Sequence, residues 1–242
     1  MRRRTALALL GTGAAVFTLP PLVRRLRAPD LAFEPLPGVP GFRRVSGGNV
    51  SGGDPAMVGL DNGPQDIPQQ DICTDLFEAG TPPGLVPIAY FSDARCVFCR
   101  ALSPMLHEIA DSDPVRITWH ELPLLGPASH RAARASLAAR RQGAYRVFHD
   151  RLMGTPVVPN DAYLRRIAAD AGIDADRLLR DMGSDAVTDQ LARTARLARL
   201  FGFYGTPALV VGRTALLGSV EKWQLRRLVE VERTAQEPRP CT

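Results

Sequence analysis

Leu85-Val86-Pro87-Ile88-Ala89-Tyr90-Phe91, followed after four residues by Cys96-Val97-Phe98-Cys99, is the stretch on which the reading of this chain turns. The first seven residues form an apolar run entered through a proline, which a strand tolerates near its start. From Cys96 the pattern becomes helical. Leu102, Met105, Leu106 and Ile109 fall on one face of a helix running to Ala110, and Pro104 inside it predicts a kink. Two thiols at i and i+3 across a helix start are close enough for a small disulfide. The helix N-terminus also puts positive potential on the first sulfur. A thiol so placed is both a good leaving group and a good nucleophile, which suits disulfide exchange. Cys96 is the expected attacking and attacked sulfur, and the more exposed of the two. Cys99, one turn in, is the expected shielded, resolving thiol.

Outward from this stretch, Val115–Leu122 sets Val115, Ile117 and Trp119 in alternation with polar residues and reads as a second strand. Strand, helix and strand of this length imply parallel strands with a right-handed crossover. Helical patterns follow. An Ala- and Arg-rich segment covers Ser129–Arg141, and Tyr145, Phe148, His149 and Leu152 make a further stripe. Asn160, Asp174 and Ser184 are each placed to cap a helix, with Gly172 and Gly202 past two of the ends. Strand signals return at Ala208–Val211 and Thr214–Leu217 around the turn Gly212-Arg213, and Ser219 is the expected cap of a final helix. Before the first strand, residues 28–70 are rich in Pro and Gly and read as an extended linker with one short strand near Phe42–Val45; a helical turn follows from Asp71 to Glu78.

The 242-residue chain has a formal net charge of +5. Residues 1–27 hold six arginines and no acid, so removing those charges leaves −1 for the remainder. A nearly neutral body without a basic stripe argues against nucleic-acid binding. Arg2-Arg3-Arg4 before the apolar Thr5–Leu19 reads as an export signal, by a general or a twin-arginine route. Its fate has two readings, cleavage or retention as a membrane anchor through residues 5–23. Either places the body outside the cytoplasm, where disulfides persist. The four cysteines are Cys73, Cys96, Cys99 and Cys241. With no second CxxC or paired histidines, a zinc site is disfavoured and no metal is expected. Cys73 and Cys241 flank the body. A structural bridge between them would close a loop of roughly 170 residues; two unrelated thiols are the alternative.

Cys96-Val97-Phe98-Cys99, Pro104 and Thr206-Pro207 just before a strand together resemble the DsbA-like thiol-disulfide oxidoreductases. So does the run His120-Glu121-Leu122-Pro123-Leu124-Leu125-Gly126-Pro127 with the later Phe148-His149-Asp150. The resemblance implies an α/β, thioredoxin-like fold with an inserted helical domain. Its segments would be a signal or anchor at 1–27, an N-terminal linker at 28–80, a thioredoxin-like domain at 81–127 and 203–242, and helical residues 128–202 between. It further implies a protein thiol-disulfide oxidoreductase without cofactor. Cys96 and Cys99 would be catalytic; Thr206, Pro207, Val97 and Phe98 would line the active-site loop. A cis Pro207 would turn the Thr206 backbone toward the cysteines, to hold an extended client without reading its sequence.

The implied partners are unfolded or reduced exported proteins and a membrane quinone-linked reoxidase or reductase, in the periplasm or another extracytoplasmic space. Two departures bear on potential. Phe98 stands where strong oxidants of the family carry a histidine, and Tyr90 where relatives often place a buried acid; Arg95 and Arg100 could compensate by charge. Dithiol oxidation is the leading reading, disulfide isomerisation or reduction the nearest alternative. A non-catalytic chaperone or Cu(I)-delivery module is the alternative from another class. His120-Glu121 is the one further acid–base candidate; His107, His130 and His149 carry no role from their spacing.

Overall fold

The computed structural model describes residues 31–52, 69–78, 80–155, 158–235 and 241. The proposed signal, residues 1–27, lies outside them. Among the described residues, six strands form one mixed sheet: β1 (Glu34–Pro35), β2 (Arg43–Ser46), β3 (Val86–Ser92), β4 (Val115–Glu121), β5 (Ala208–Val211) and β6 (Thr214–Leu217), in spatial order β1-β2-β6-β5-β3-β4. β3 and β4 are parallel, pairing Val86 with Val115 through Ser92 with Glu121, and the helix between them is α2 (Val97–Ser112). β5 and β6 form the hairpin around Gly212, and β5 pairs antiparallel with β3. This is the thioredoxin-like α/β arrangement that the motif order implies.

All seven residues of β3 are buried, which explains why that segment reads as a continuous apolar run rather than an alternating one. One face of the sheet carries Ala89, Phe91, Ala208, Val210 and Ala215. These pack with Ile72, Leu76 and Phe77 of α1 (Gln69–Phe77) and with Phe201 and Phe203. Tyr90 points to the opposite face, where its hydroxyl meets α2.

Between β4 and β5 come α3 (Pro127–Arg140), α4 (Tyr145–Met153), α5 (Asp161–Asp170), α6 (Ala175–Asp181) and α7 (Asp185–Leu200). They share a second core, in which Ala135, Ala138 and Ala139 let α3 lie close to Phe148, Leu152, Leu164 and Leu178. Asn160, Asp174 and Ser184 cap α5, α6 and α7 by accepting from the N3 amide. At the last helix, α8 (Lys222–Thr234), the cap is not Ser219. Glu221 and Gln224 form a reciprocal capping box there, while the Ser219 hydroxyl accepts the Asn49 amide instead.

The N-terminal region also differs from a linker. β2 adds to β6 in parallel, from Arg43 beside Thr214 to Ser46 beside Leu217, and Leu36, Val39, Phe42 and Val45 are buried. Pro and Gly there serve tight turns between short strands, so composition alone misreads the segment. Arg43 donates to the Glu232 carboxylate at 2.8 Å, and Glu232, fully buried on α8, also accepts from Thr214 Oγ1 at 2.6 Å. Cys73 of α1 is disulfide-bonded to Cys241, with Cα atoms 5.2 Å apart. Among the described residues, no helix is long and apolar enough to cross a membrane.

Replacing Glu232 with leucine strands the Arg43 guanidinium and the Thr214 hydroxyl against an apolar group. Urea titration of this variant is expected to show about 3 kcal/mol less unfolding free energy than the parent.

Candidate active site

β3 delivers the chain to a turn at Asp93, and the turn delivers it to Cys96. Asp93 is 1% exposed and its carboxylate is saturated. Oδ1 accepts from Arg95 N and Ser129 Oγ, both at 2.7 Å, and Oδ2 from Leu124 N at 2.7 Å and Leu125 N at 3.0 Å. One buried carboxylate thus ties the turn to the loop after β4 and the first turn of α3. Cys96 follows as the N-cap of α2, with its own amide donating to Asp93 O.

The Cys96 sulfur accepts the Cys99 amide at 3.2 Å and donates its thiol proton to Thr206 O at 3.2 Å. Both cysteines are free thiols. Hydrogen bonding from the Cys99 thiol is the largest influence on Cys96. With the Cys99 amide and contacts from Thr206 and Ser51, it outweighs burial and lowers the thiol to about 6. Cys99 moves the other way: burial leads, reinforced by Cys96, and its thiol is raised far above the usual range. The pair is split into an easily ionised first sulfur and a neutral second one.

The expected exposure of Cys96 is not found. Both cysteines are 0% exposed, and Val97 between them is the open residue at 62%. Phe98, Met153 and Leu125 pack around the two sulfurs. Arg100 is turned away, donating to Ala94 O and Thr155 O.

Thr206–Pro207 is a cis peptide beside the pair. The Thr206 backbone, the expected holder of a client, is already paired. Its N–H donates to Ser51 O at 3.0 Å, and its carbonyl accepts from Ser51 N at 2.8 Å. Ser51 could not be found from the sequence, because it lies in a Gly-rich segment without periodicity and meets Thr206 only through backbone.

Behind Cys99 runs a buried polar chain. Tyr90 OH donates to Cys99 O and meets Ser103 Oγ, both at 3.3 Å, and Ser103 Oγ meets His149 Nε2 at 3.1 Å. His149 Nδ1 lies 3.3 Å from Glu121 Oε1, which also accepts from Tyr145 OH at 2.7 Å. Tyr90, where relatives often place an acid, is therefore one end of a five-residue network. Its members fall on four separate elements, which hid it from a reading along the chain.

His120 and Glu121 do not act as a pair. As neighbours on a strand they face opposite ways. His120 donates to Leu76 O, and burial lowers its ring to about 4, so it is a neutral structural residue. His107 is bonded to Asp150 and stacked on Trp119, and His130 is exposed. Among the described residues, no cluster of three or more His, Cys, Asp or Glu could hold a metal.

With this geometry in place, comparison with known proteins identifies the class. The DSBA-like thioredoxin domain family matches residues 87–230. The chain belongs to this family of thiol-disulfide oxidoreductases. A thioredoxin-like oxidoreductase from Silicibacter pomeroyi DSS-3 is 40% identical, with a TM-score of 0.62 over 67% of this chain and 98% of that one. A periplasmic thioredoxin-like protein from Salmonella enterica serovar Typhimurium is 25% identical, with a TM-score of 0.60 over 71% of this chain and 100% of that one. Among curated proteins, the Na(+)/H(+) antiporter NhaA of Herminiimonas arsenicoxydans is 27% identical over 145 residues. That match takes in 59% of this chain and 23% of the antiporter, so the chain spans about a quarter of that relative's length.

In the reduced protein, thiolate absorbance near 240 nm should titrate with a midpoint at about pH 6. Cys99→Ala removes the largest stabilising contact and should raise the Cys96 midpoint by roughly one unit or more. An unmoved midpoint would assign the acidity to the remaining contacts, the residue-99 amide, Thr206 and Ser51.

Proposed function

We propose that this chain oxidises dithiols in exported proteins through Cys96 and Cys99. The observation that carries the proposal is the split between the two thiols, with Cys96 lowered to about 6 and Cys99 raised. In the oxidised enzyme a client thiolate attacks the Cys96 sulfur. The Cys96–Cys99 bond breaks, a mixed disulfide forms, and Cys99 leaves with a proton. A second client thiolate then attacks the client sulfur of the mixed disulfide, and Cys96 leaves as thiolate. The client has lost two electrons and two protons to a disulfide, and the enzyme ends as a dithiol. A low-pKa leaving group speeds the last step and makes the enzyme disulfide the better oxidant.

Val97 and Phe98 form the rim at which the client arrives, with Thr206 and Pro207 opposite. Residues 81–127 and 203–242 serve as the catalytic unit and 128–202 as its helical insert. The arginine-rich start and the Cys73–Cys241 disulfide favour an extracytoplasmic site of action. Reduced exported proteins are the clients, and a membrane quinone-linked partner is the reoxidant.

Oxidation of a reduced dithiol peptide by Cys96→Ser and Cys99→Ser variants tests the assignment. Cys96→Ser should lose at least roughly a hundredfold in rate. Cys99→Ser cannot form the enzyme disulfide and should lose peptide oxidation too; given a disulfide-containing peptide instead, its Cys96 thiolate should attack that bond, release one peptide thiol and accumulate as the mixed disulfide. Wild-type turnover by either variant rejects the proposal.

A further inference from the structure

A buried sulfur cannot exchange with a protein disulfide or thiol, because the incoming sulfur must reach it directly. Cys96 is 0% exposed, so part of its cover has to leave before it reacts. Val50–Gly52 is the part built to do so. Its root is held firmly. Gly48 N donates to Ser219 O at 2.8 Å, Ser219 N to Asn49 O at 2.9 Å, and Asn49 N to the Ser219 hydroxyl at 3.0 Å. Among the described residues, its tip is joined by backbone to the fold through a two-bond bridge to Thr206, outside any named strand.

Two glycines shape the seat. A Cβ on Gly205 would lie 3.0 Å from Ser51 O, 3.1 Å from Gly52 O and 3.2 Å from Val50 Cβ. Gly205 has no positive φ, so it is needed for close approach and not for its conformation. Gly52, at φ +87°, crosses the Leu124–Leu125 wall, where its own Cβ would lie 3.2 Å from Leu125 Cδ2.

Ser51 meets Thr206 as an antiparallel partner, using both backbone groups that an extended polypeptide would use. We infer that Val50–Gly52 is a displaceable strap: it occupies the client's docking edge and covers Cys96, and an extended client segment exchanges places with it. This rests on the oxidoreductase reading above. The partner it fits is an unfolded polypeptide whose free backbone can replace Ser51 bond for bond. A small thiol offers no strand and cannot drive the exchange. The titratable groups near the sulfur are Cys99 and Tyr90, with the Asp93 carboxylate on the turn before it; α4 presents the apolar Met153 and the loop after β4 presents Leu125. Ser51 also helps to lower the Cys96 thiol while the strap is seated.

Iodoacetamide labelling of Cys96 in the reduced full chain, read by mass spectrometry across pH, separates the two effects. The high-pH plateau reports access, and the midpoint reports thiolate stabilisation. Gly205→Val, which unseats the strap, should raise the plateau roughly tenfold, the scale of losing two backbone hydrogen bonds, and move the midpoint upward. Ser51→Pro deletes the amide donated to Thr206 and should do the same, so it decides the matter if Gly205→Val fails to fold. In oxidation assays the unseated variants should gain more rate with glutathione than with an unfolded dithiol peptide. Wild-type plateaus in the folded variants overturn the strap. A raised plateau with no peptide oxidation by any form, wild type included, leaves the strap standing and removes the oxidase reading.

Discussion

The first turn of α2 leaves amide donors without helical acceptors, and the atom placed before them is the Cys96 sulfur. A capping residue usually presents an oxygen there. A sulfur in that position becomes an acid, because the donors and the helix dipole favour its negative form. The rest of the site keeps that sulfur in register. Asp93 pins the turn before it by accepting four hydrogen bonds, and Thr206 O faces it from the loop before β5. Burial works against ionisation, and the outcome is decided by the number of donors rather than by any nearby cation.

Cys99 shows the same forces with the opposite balance. It sits one turn in, where its amide is spent on Cys96 and its sulfur lies among apolar groups. Burial then dominates and the thiol stays protonated. The Tyr90–Ser103–His149–Glu121–Tyr145 chain behind it satisfies polar groups that would otherwise be costly in the interior. It also locks β3, α2, β4 and α4 together around the redox pair.

What the sequence made legible was local. The apolar β3 run, the CxxC at a helix start, the caps Asn160, Asp174 and Ser184, and the hairpin around Gly212 each depend on residues a few positions apart. The Ser219 cap failed because two nearby candidates compete, and Glu221 has Gln224 to complete a box. Within residues 28–70, read as a linker, the short strand expected near Phe42–Val45 is present as β2, while the burial of Leu36 and Val39 was missed because Pro and Gly suit tight turns within a sheet as well as loose chain. Asp93, Ser51 and the Tyr90 network were invisible for a different reason. Each acts through partners distant in sequence, and a serine in a glycine-rich stretch carries no signal that it will cap an active site. The exposure expected of Cys96 was wrong on the same account, since its cover comes from elsewhere in the chain.

On the proposed function, the environment of Cys96 stabilises the dithiol form and so makes the disulfide oxidising. The equilibrium reduction potential of the Cys96–Cys99 pair against glutathione tests it most directly. The expected value lies well above the roughly −270 mV of a thioredoxin-type reductant, between about −240 and −120 mV. A potential at or below about −270 mV would contradict it.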